Sequence, residues 1–298
     1  AWVDAGYPVT VVSGGAAVAE FGFPGARVCQ LPAIKTADAQ FSALVDENDR
    51  PLTQAFKQQR CAMLLGLLSE TKPDIVVVES YPFGRRQLRW ELKPLLKAAI
   101  NQQKPPLVIS SVRDILQTRK PERRQETLTL LQRNFDYVMV HGDDEFISLD
   151  ESFPEASVVA NKLVYTGYVS EPPALLGGSV AGAGKDEVLI SAGGGAVGYA
   201  LMQAALKAKP LSSLATQRWR FLLGPNLPEK QRQSLLELAD EGCIIEPIRS
   251  DFPQLLANCK LSISQAGYNT VMDILAADSA AVLVPFEGSG ETEQLYRT

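Results

Sequence analysis

An α/β protein, built as two Rossmann-like domains facing across a cleft, is what this sequence predicts, on three observations. Short runs of Val, Ile and Leu alternate with helical stretches along the chain, the pattern of parallel strands joined by crossover helices. A joint with two prolines, Thr166-Gly167-Tyr168-Val169-Ser170-Glu171-Pro172-Pro173, then interrupts the alternation and runs into a Gly/Ala-rich stretch of linker composition. Beyond it the alternation starts again. The expected organisation is a first domain over 1–168, a linker over 169–185 and a second domain over 186–298.

The elements follow in order. Ala1 to Gly6 read as a helix end with a glycine stop, so the first strand of a βαβ unit is expected to lie before residue 1. Strands are predicted over 9–13, 74–79, 107–111, 137–141 and 163–165, and helices over 53–71, 87–102 and 123–134. In the second half strands fit 188–191, 219–223, 243–246, 261–264 and 281–285. Helices fit 197–207, 229–241 and 251–258, with another opening at Tyr268. Asp143-Asp144-Glu145 reads as a further helix start, and Arg297-Thr298 as the interior of one, so the chain is expected to be truncated at both ends.

Bulk properties narrow the function. At 298 residues there is room for two cores. A net charge of −5 argues against nucleic acid as the main partner. Apolar runs such as Ile75-Val76-Val77-Val78 fall far short of the roughly 18 residues that span a bilayer, and no signal peptide is expected. The expected location is the cytoplasm, with peripheral contact at the inner membrane face as a variant. Cys29, Cys61, Cys243 and Cys259 form no CxxC motif and read as buried free thiols, with two disulfides as the minor alternative. A single histidine, His141, excludes a His-rich metal site, and neither a metal nor a cofactor is expected.

The most informative segment is 261–298. A short apolar strand runs into a small-residue turn, Gln265-Ala266-Gly267, and a helix opens at Tyr268-Asn269-Thr270 with Asp273 one turn in. A second strand, ending Val284-Pro285-Phe286, leads to Glu293-Gln294. Helix N-terminal amides suit a diphosphate, a carboxylate suits ribose hydroxyls, and an acid with an amide suits sugar hydroxyls. Each residue alone is as well explained as a turn, a helix start or a first-turn acid. The order of all of them favours a nucleotide-sugar pocket.

This segment resembles the donor-binding signature of GT-B glycosyltransferases. It is most similar to the bacterial lipid II N-acetylglucosaminyltransferase family and more distantly to the UDP-glucuronosyltransferase-like families. The family pattern S-x-A-G-x-N-T-x-x-E, a strand ending V-P-F, then E/D-Q, falls here on Ser264, Ala266, Gly267, Asn269, Thr270, Asp273, Val284-Pro285-Phe286 and Glu293-Gln294. Asp273 stands where the family usually has Glu, one methylene shorter. In the first half, Val78–Leu88, Ser111–Leu116 and Leu163–Val169 resemble a group of bacterial glycosyltransferases of this fold.

The resemblance implies further roles. Gly194 and Gly195, in the loop Ser191–Ala196, would border the donor diphosphate. A dinucleotide reading of that loop, with Gly198 as third glycine, is disfavoured by the lack of a downstream acid. Ile248, in the loop after strand 243–246, would read the nucleobase, with an ordinary surface loop as the equal alternative. Glu79 would orient a catalytic histidine expected before Ala1, or else be a salt-bridged carboxylate. Arg113 would hold an acceptor phosphate, or else pair with Asp114. Arg85, Arg86 and Arg89, and Arg119, Lys120, Arg123 and Arg124, would meet a phosphorylated lipid carrier or an anionic membrane face, or else form solvated helix faces. The implied reaction moves a sugar from a UDP-sugar to an acceptor hydroxyl, glycan or lipid-linked, with inversion and without a metal. A nucleotide-sugar epimerase of the same fold and a non-catalytic nucleotide-sugar-binding subunit are the alternatives.

Overall fold

The computed structural model describes residues 2–16, 22–37, 43–169, 182–192, 198–225, 227–286 and 292–298. By its internal contacts the chain forms two compact units. The first comprises Ala1–Val112, Lys120–Met139 and Glu155–Val164; the second comprises Arg113–Arg119, Val140–Pro154 and Tyr165–Thr298.

In the first unit, residues 2–6 form a turn rather than the helix end read from the sequence; the turn closes at Gly6 with φ of 83°, a left-handed value that suits glycine. Strand β1 (Thr10–Ser13) pairs in parallel with β2 (Arg27–Gln30), and β3 (Ile34–Thr36) pairs antiparallel with β4 (Leu44–Asp46). Helix α1 (Gln54–Thr71) starts where the Thr53 hydroxyl accepts from the Phe56 amide, at 3.2 Å, and stops where Lys72 turns left-handed. Then come β5 (Ile75–Glu79), a 3₁₀ turn (Arg86–Leu88) and α2 (Arg89–Ile100), so the helix expected from 87 begins as a 3₁₀ turn. The remaining elements are β6 (Leu107–Arg113), α3 (Pro121–Asn134), β7 (Tyr137–His141) and β8 (Leu163–Tyr165). The sheet order is β5-β6-β7-β8, with β5 and β6 parallel in the register Val77 to Ile109.

One buried ion pair organises this unit. Arg60 on α1 is 1% exposed and makes two 2.9 Å hydrogen bonds to the Glu91 carboxylate on α2. Its remaining donors go to the Gly14 carbonyl at 3.1 Å and to the Pro32 carbonyl. One guanidinium thus ties both helices to the turns after β1 and β2, and its fixed fork satisfies all three partners at once.

The second unit's sheet is wholly parallel. It contains β9 (Val188–Ser191), β10 (Trp219–Leu223), β11 (Cys243–Pro247), β12 (Leu261–Gln265) and β13 (Ala281–Val284) in the order β11-β10-β9-β12-β13. Every residue of β9 and β10 is buried, as expected for strands covered on both faces. The connecting helices are α4 (Tyr199–Ala208), α5 (Glu229–Leu238), α6 (Phe252–Asn258) and α7 (Tyr268–Ala276), with α8 (Glu293–Arg297) last. Trp219, Phe221, Met202 and Leu235 fill one core cluster; Leu189, Leu222, Leu255 and Ile274 fill another. Arg220, a charge inside β10, is held by two bonds to Glu187, at 2.6 and 3.0 Å, and by Glu246. Gly198 lets α4 close on β9: a Cβ there would lie 2.4 Å from the Ala192 Cβ.

Three expectations are corrected. Asp143-Asp144-Glu145 is a turn, closed by the Glu145 amide donating to the Asp143 carboxylate at 3.0 Å, because the chain bends after β7 rather than winding on. The helix from 229 ends at Leu238, where Ala239 goes extended. The cysteines are free but half-buried rather than buried. Among the described residues no helix is long and apolar enough to cross a membrane.

Candidate active site

The strand order of the second sheet locates a site. The chain starts at β9 and moves outward through β10 and β11, then returns to the other side of β9 with β12 and β13. The order therefore reverses between β9 and β12, whose carboxyl ends lie side by side with Ser191 opposite Ser264. In open parallel sheets the crevice at such a switch point takes the ligand, because the two outgoing loops diverge there. Ser191, Ser262 and Ser264 are all buried beneath it, and the Ser262 and Ser264 hydroxyls bond each other at 2.8 Å. Gly194 and Gly195, predicted for the loop after β9, lie outside the described residues.

The loop after β12 is Ala266-Gly267, and Gly267 is the N-cap of α7. Its φ of −65° and ψ of 145° are open to any residue. A Cβ at Gly267 would meet nothing within 4 Å among the described residues. The backbone therefore does not require glycine there, and neither does packing among the described residues. The cap of this nine-residue helix has no side-chain acceptor among the described residues, and first-turn amides have no partner within a helix.

Of the residues expected to hold the donor, Gln265 is buried at the end of β12, Asn269 is exposed, and Thr270 and Asp273 are half-buried on α7. The Gln294 side-chain oxygen accepts from the Phe286 amide at 3.0 Å, tying α8 back to the end of β13. Glu293 is paired at 3.2 Å with Arg297, one helical turn on.

Tyr268 is the centre of an aromatic and ionic cluster within the second unit. Its ring is 7% exposed, its hydroxyl donates to the His141 carbonyl at 3.1 Å, and the guanidinium groups of Arg113 and Arg297 each lie 5.2 Å from its centroid. Arg297 donates to Asp114 at 2.6 Å, both side chains being almost wholly buried. The pair considered for Asp114 in the sequence, Arg113, is thus replaced by Arg297, and Arg113 stacks on Tyr268 instead. Burial pushes the Tyr168 hydroxyl up to about 12, with the Asp114 charge adding to the effect. Burial likewise raises Tyr268, opposed by a hydrogen bond with the Val169 backbone. Both phenols stay neutral at physiological pH. Arg297 and Tyr168 had not been singled out as site residues. The Glu293–Arg297 spacing of one turn was a readable signal for Arg297.

Ile248 is 44% exposed in the loop after β11, its amide bonded to the Leu223 carbonyl at 3.0 Å. Arg249 and Asp251 brace that loop through bonds of 2.7 and 2.6 Å. Hydrogen bonding from Arg249 holds the Asp251 carboxyl below its ordinary value. Glu79 ends β5 in the first unit, exposed and bonded by Arg85 at 2.8 Å. Much of the basic character there is matched: Arg86 pairs with Glu126 at 2.7 Å and Arg124 with Glu155 at 2.8 Å.

Comparison with known proteins bears on the fold and on the second half of the chain. Residues 189–297 match the glycosyltransferase family 28 C-terminal domain. The calicheamicin glycosyltransferase CalG4 is 14% identical, with 99% of this chain and 77% of that one covered at a TM-score of 0.56. The glycosyltransferase of kitacinnamycin is 14% identical, covering 99% and 76% at 0.55. Os79 from O. sativa, solved in complex with UDP, is 13% identical, covering 97% and 77% at 0.57. None of the curated protein sequences matches the chain significantly. The fold is thus that of GT-B glycosyltransferases.

Proposed function

We propose that this glycosyltransferase takes its sugar from a nucleotide-diphospho-sugar, a UDP-sugar, and passes it to an acceptor hydroxyl with inversion and without a metal. The observation that carries the reading is the bare cap of α7. Among the described residues Gly267 answers no demand of backbone or packing, and a diphosphate seated on the cap would explain both the glycine and the lack of a side-chain cap. The first-turn amides, with Tyr268, Asn269 and Thr270, would stabilise the leaving diphosphate as charge develops on it, the work a metal does elsewhere. Gly194, Gly195 and Gln265 would complete that wall.

Asp273 would accept from ribose hydroxyls. Glu293 and Gln294 would read the sugar; the Gln294 oxygen is committed to Phe286, which leaves its NH₂ as the donor to a ligand. Ile248, on its braced loop, would meet the base. UDP is favoured because Os79 was captured with it. Glu79, in the first unit, would serve the catalytic base, and Arg113, in the second, would serve the acceptor. The family 28 match over 189–297 favours transfer over the epimerase and binding-subunit readings.

Calorimetric titration against UDP-, GDP-, dTDP- and ADP-sugars tests this, with Asp273→Ala as control. One nucleotide class is expected to bind, about tenfold or more weakly in the variant. If no nucleotide binds, the donor pocket assigned to 265–294 is wrong.

A further inference from the structure

Helix α8 carries Glu293 and Gln294, and it has little of its own to hold it in place. Five residues are too few for a helix to stand by propensity. Leu295 and Tyr296 are both more than half exposed, so no apolar face pins it. Its ties are polar. At the start, the Gln294 oxygen takes the Phe286 amide, and the Thr292 hydroxyl lies 3.5 Å from that of Thr118. At the end, the Arg297 guanidinium donates to Asp114 at 2.6 Å and to Glu293 at 3.2 Å through different nitrogens, and its Nε has no partner among the described residues. Thr118 and Asp114 belong to one segment, Arg113–Arg119, which is part of the second unit. That segment is itself fixed. The Asp114 oxygen that takes Arg297 also accepts from the Ile115 amide at 2.8 Å, and the Leu116 amide donates to the Ser152 hydroxyl at 3.0 Å. Gly142 lets the chain after β7 close on it, since a Cβ there would lie 2.7 Å from the Asp114 Cβ.

A guanidinium held between two carboxylates by its planar fork transmits the position of one to the other. Asp114 is the fixed end, its side chain 2% exposed; Glu293, at 20%, is the end that still meets solvent. We infer that Asp114 is a positioning residue for sugar recognition: through Arg297 it sets where the Glu293 carboxylate stands, and so which sugar hydroxyls that carboxylate can accept from. The inference rests on the assignment of Glu293 to the sugar. A buried pair kept for stability alone would treat UDP and every UDP-sugar alike, whereas a relay to Glu293 acts only on ligands that carry the sugar. Removing Asp114 strands no charge, because Glu293 still balances Arg297.

The test is calorimetric titration of the whole chain with UDP, UDP-glucose, UDP-galactose and UDP-N-acetylglucosamine, read as the ratio of each UDP-sugar affinity to that of UDP. The variants are Glu293→Gln, Asp114→Ala and the two combined. Asp114→Asn, which keeps an acceptor for Arg297, replaces Asp114→Ala and is read by the same ratio if the alanine variant does not fold. The ratio for the preferred sugar is expected to fall about fivefold to tenfold in either single variant, with UDP affinity within about twofold of the parent and the combined variant no worse than Glu293→Gln alone. If Glu293→Gln lowers the ratio and the Asp114 variant does not, the relay is overturned and the sugar assignment stands. Equal weakening of UDP and every UDP-sugar by the Asp114 variant also overturns it, since Asp114 then only holds the fold. If Glu293→Gln itself leaves the ratio unchanged, the assignment of Glu293 to the sugar fails and the inference with it.

Discussion

Gly267 and Arg60 show how differently single residues serve this protein. At Gly267 the chain tolerates a side chain that the proposed ligand would not. Serine there is a competent N-cap, so Gly267→Ser is expected to leave stability within a few tenths of a kcal/mol of the parent. Its side chain would occupy the space reserved for the diphosphate, so UDP-sugar affinity is expected to fall at least tenfold. Thermal melting and titration of the same sample separate the two effects. Equal affinity in variant and parent would remove the argument from the cap. Arg60 is the opposite case. Arg60→Met strands the buried Glu91 carboxylate and takes a donor from the Pro32 carbonyl and from the Gly14 carbonyl, which keeps its bond from the Ile34 amide. A loss of about 3–5 kcal/mol is expected in urea unfolding. Arg60→Met with Glu91→Met should recover part of that loss, because no uncompensated charge remains.

Among the elements, the loop from β11 to α6 joins stability to pH. Asp251 has a folded-state pKa held below the ordinary 3.8, first by its hydrogen bond from Arg249. Its contribution is complete above 3.8 and disappears as pH falls through the depressed value. Asp251→Asn should therefore cost about 1 kcal/mol or less near neutrality and nothing in strong acid. Melting temperatures of parent and variant should converge as pH drops below 4. A constant gap would show that the carboxylate's charge is not what braces the loop.

The elements also show what a sequence discloses. The central strands β9 and β10 were plain, since burial on both faces demands an unbroken apolar run, and β7, β8 and the start of β12 were equally clear. Strands β2, β3 and β4 went unread because they are three or four residues long and largely exposed at β2 and β3, so no alternation accumulates. The ordered series Gly267, Asn269, Thr270, Asp273, Glu293, Gln294 was visible as a spacing. The exchange of Arg113 for Arg297 as the partner of Asp114 was not, because that pairing joins positions far apart in sequence and depends on where Tyr268 stands between two guanidinium groups.

For the molecule as a whole, the second sheet's strand order has a consequence for how the chain acquires its structure. No pair of its strands is a hairpin; each neighbour is reached through a crossover. Val188 at the start of β9 pairs with Trp219 on one side and must wait for Leu261 on the other. Until β12 arrives, β9 is an apolar edge with one whole row of backbone groups unpaired. A sheet of this kind closes its long loops before any pairing rewards them, so its refolding is expected in milliseconds to seconds rather than microseconds. Stopped-flow fluorescence of Trp219, buried in β10, would time it; a microsecond phase carrying the full amplitude would contradict it. During synthesis the same edge is exposed until the ribosome has released residues beyond Gln265, and in that interval this half of the protein is most open to pairing with another copy of itself.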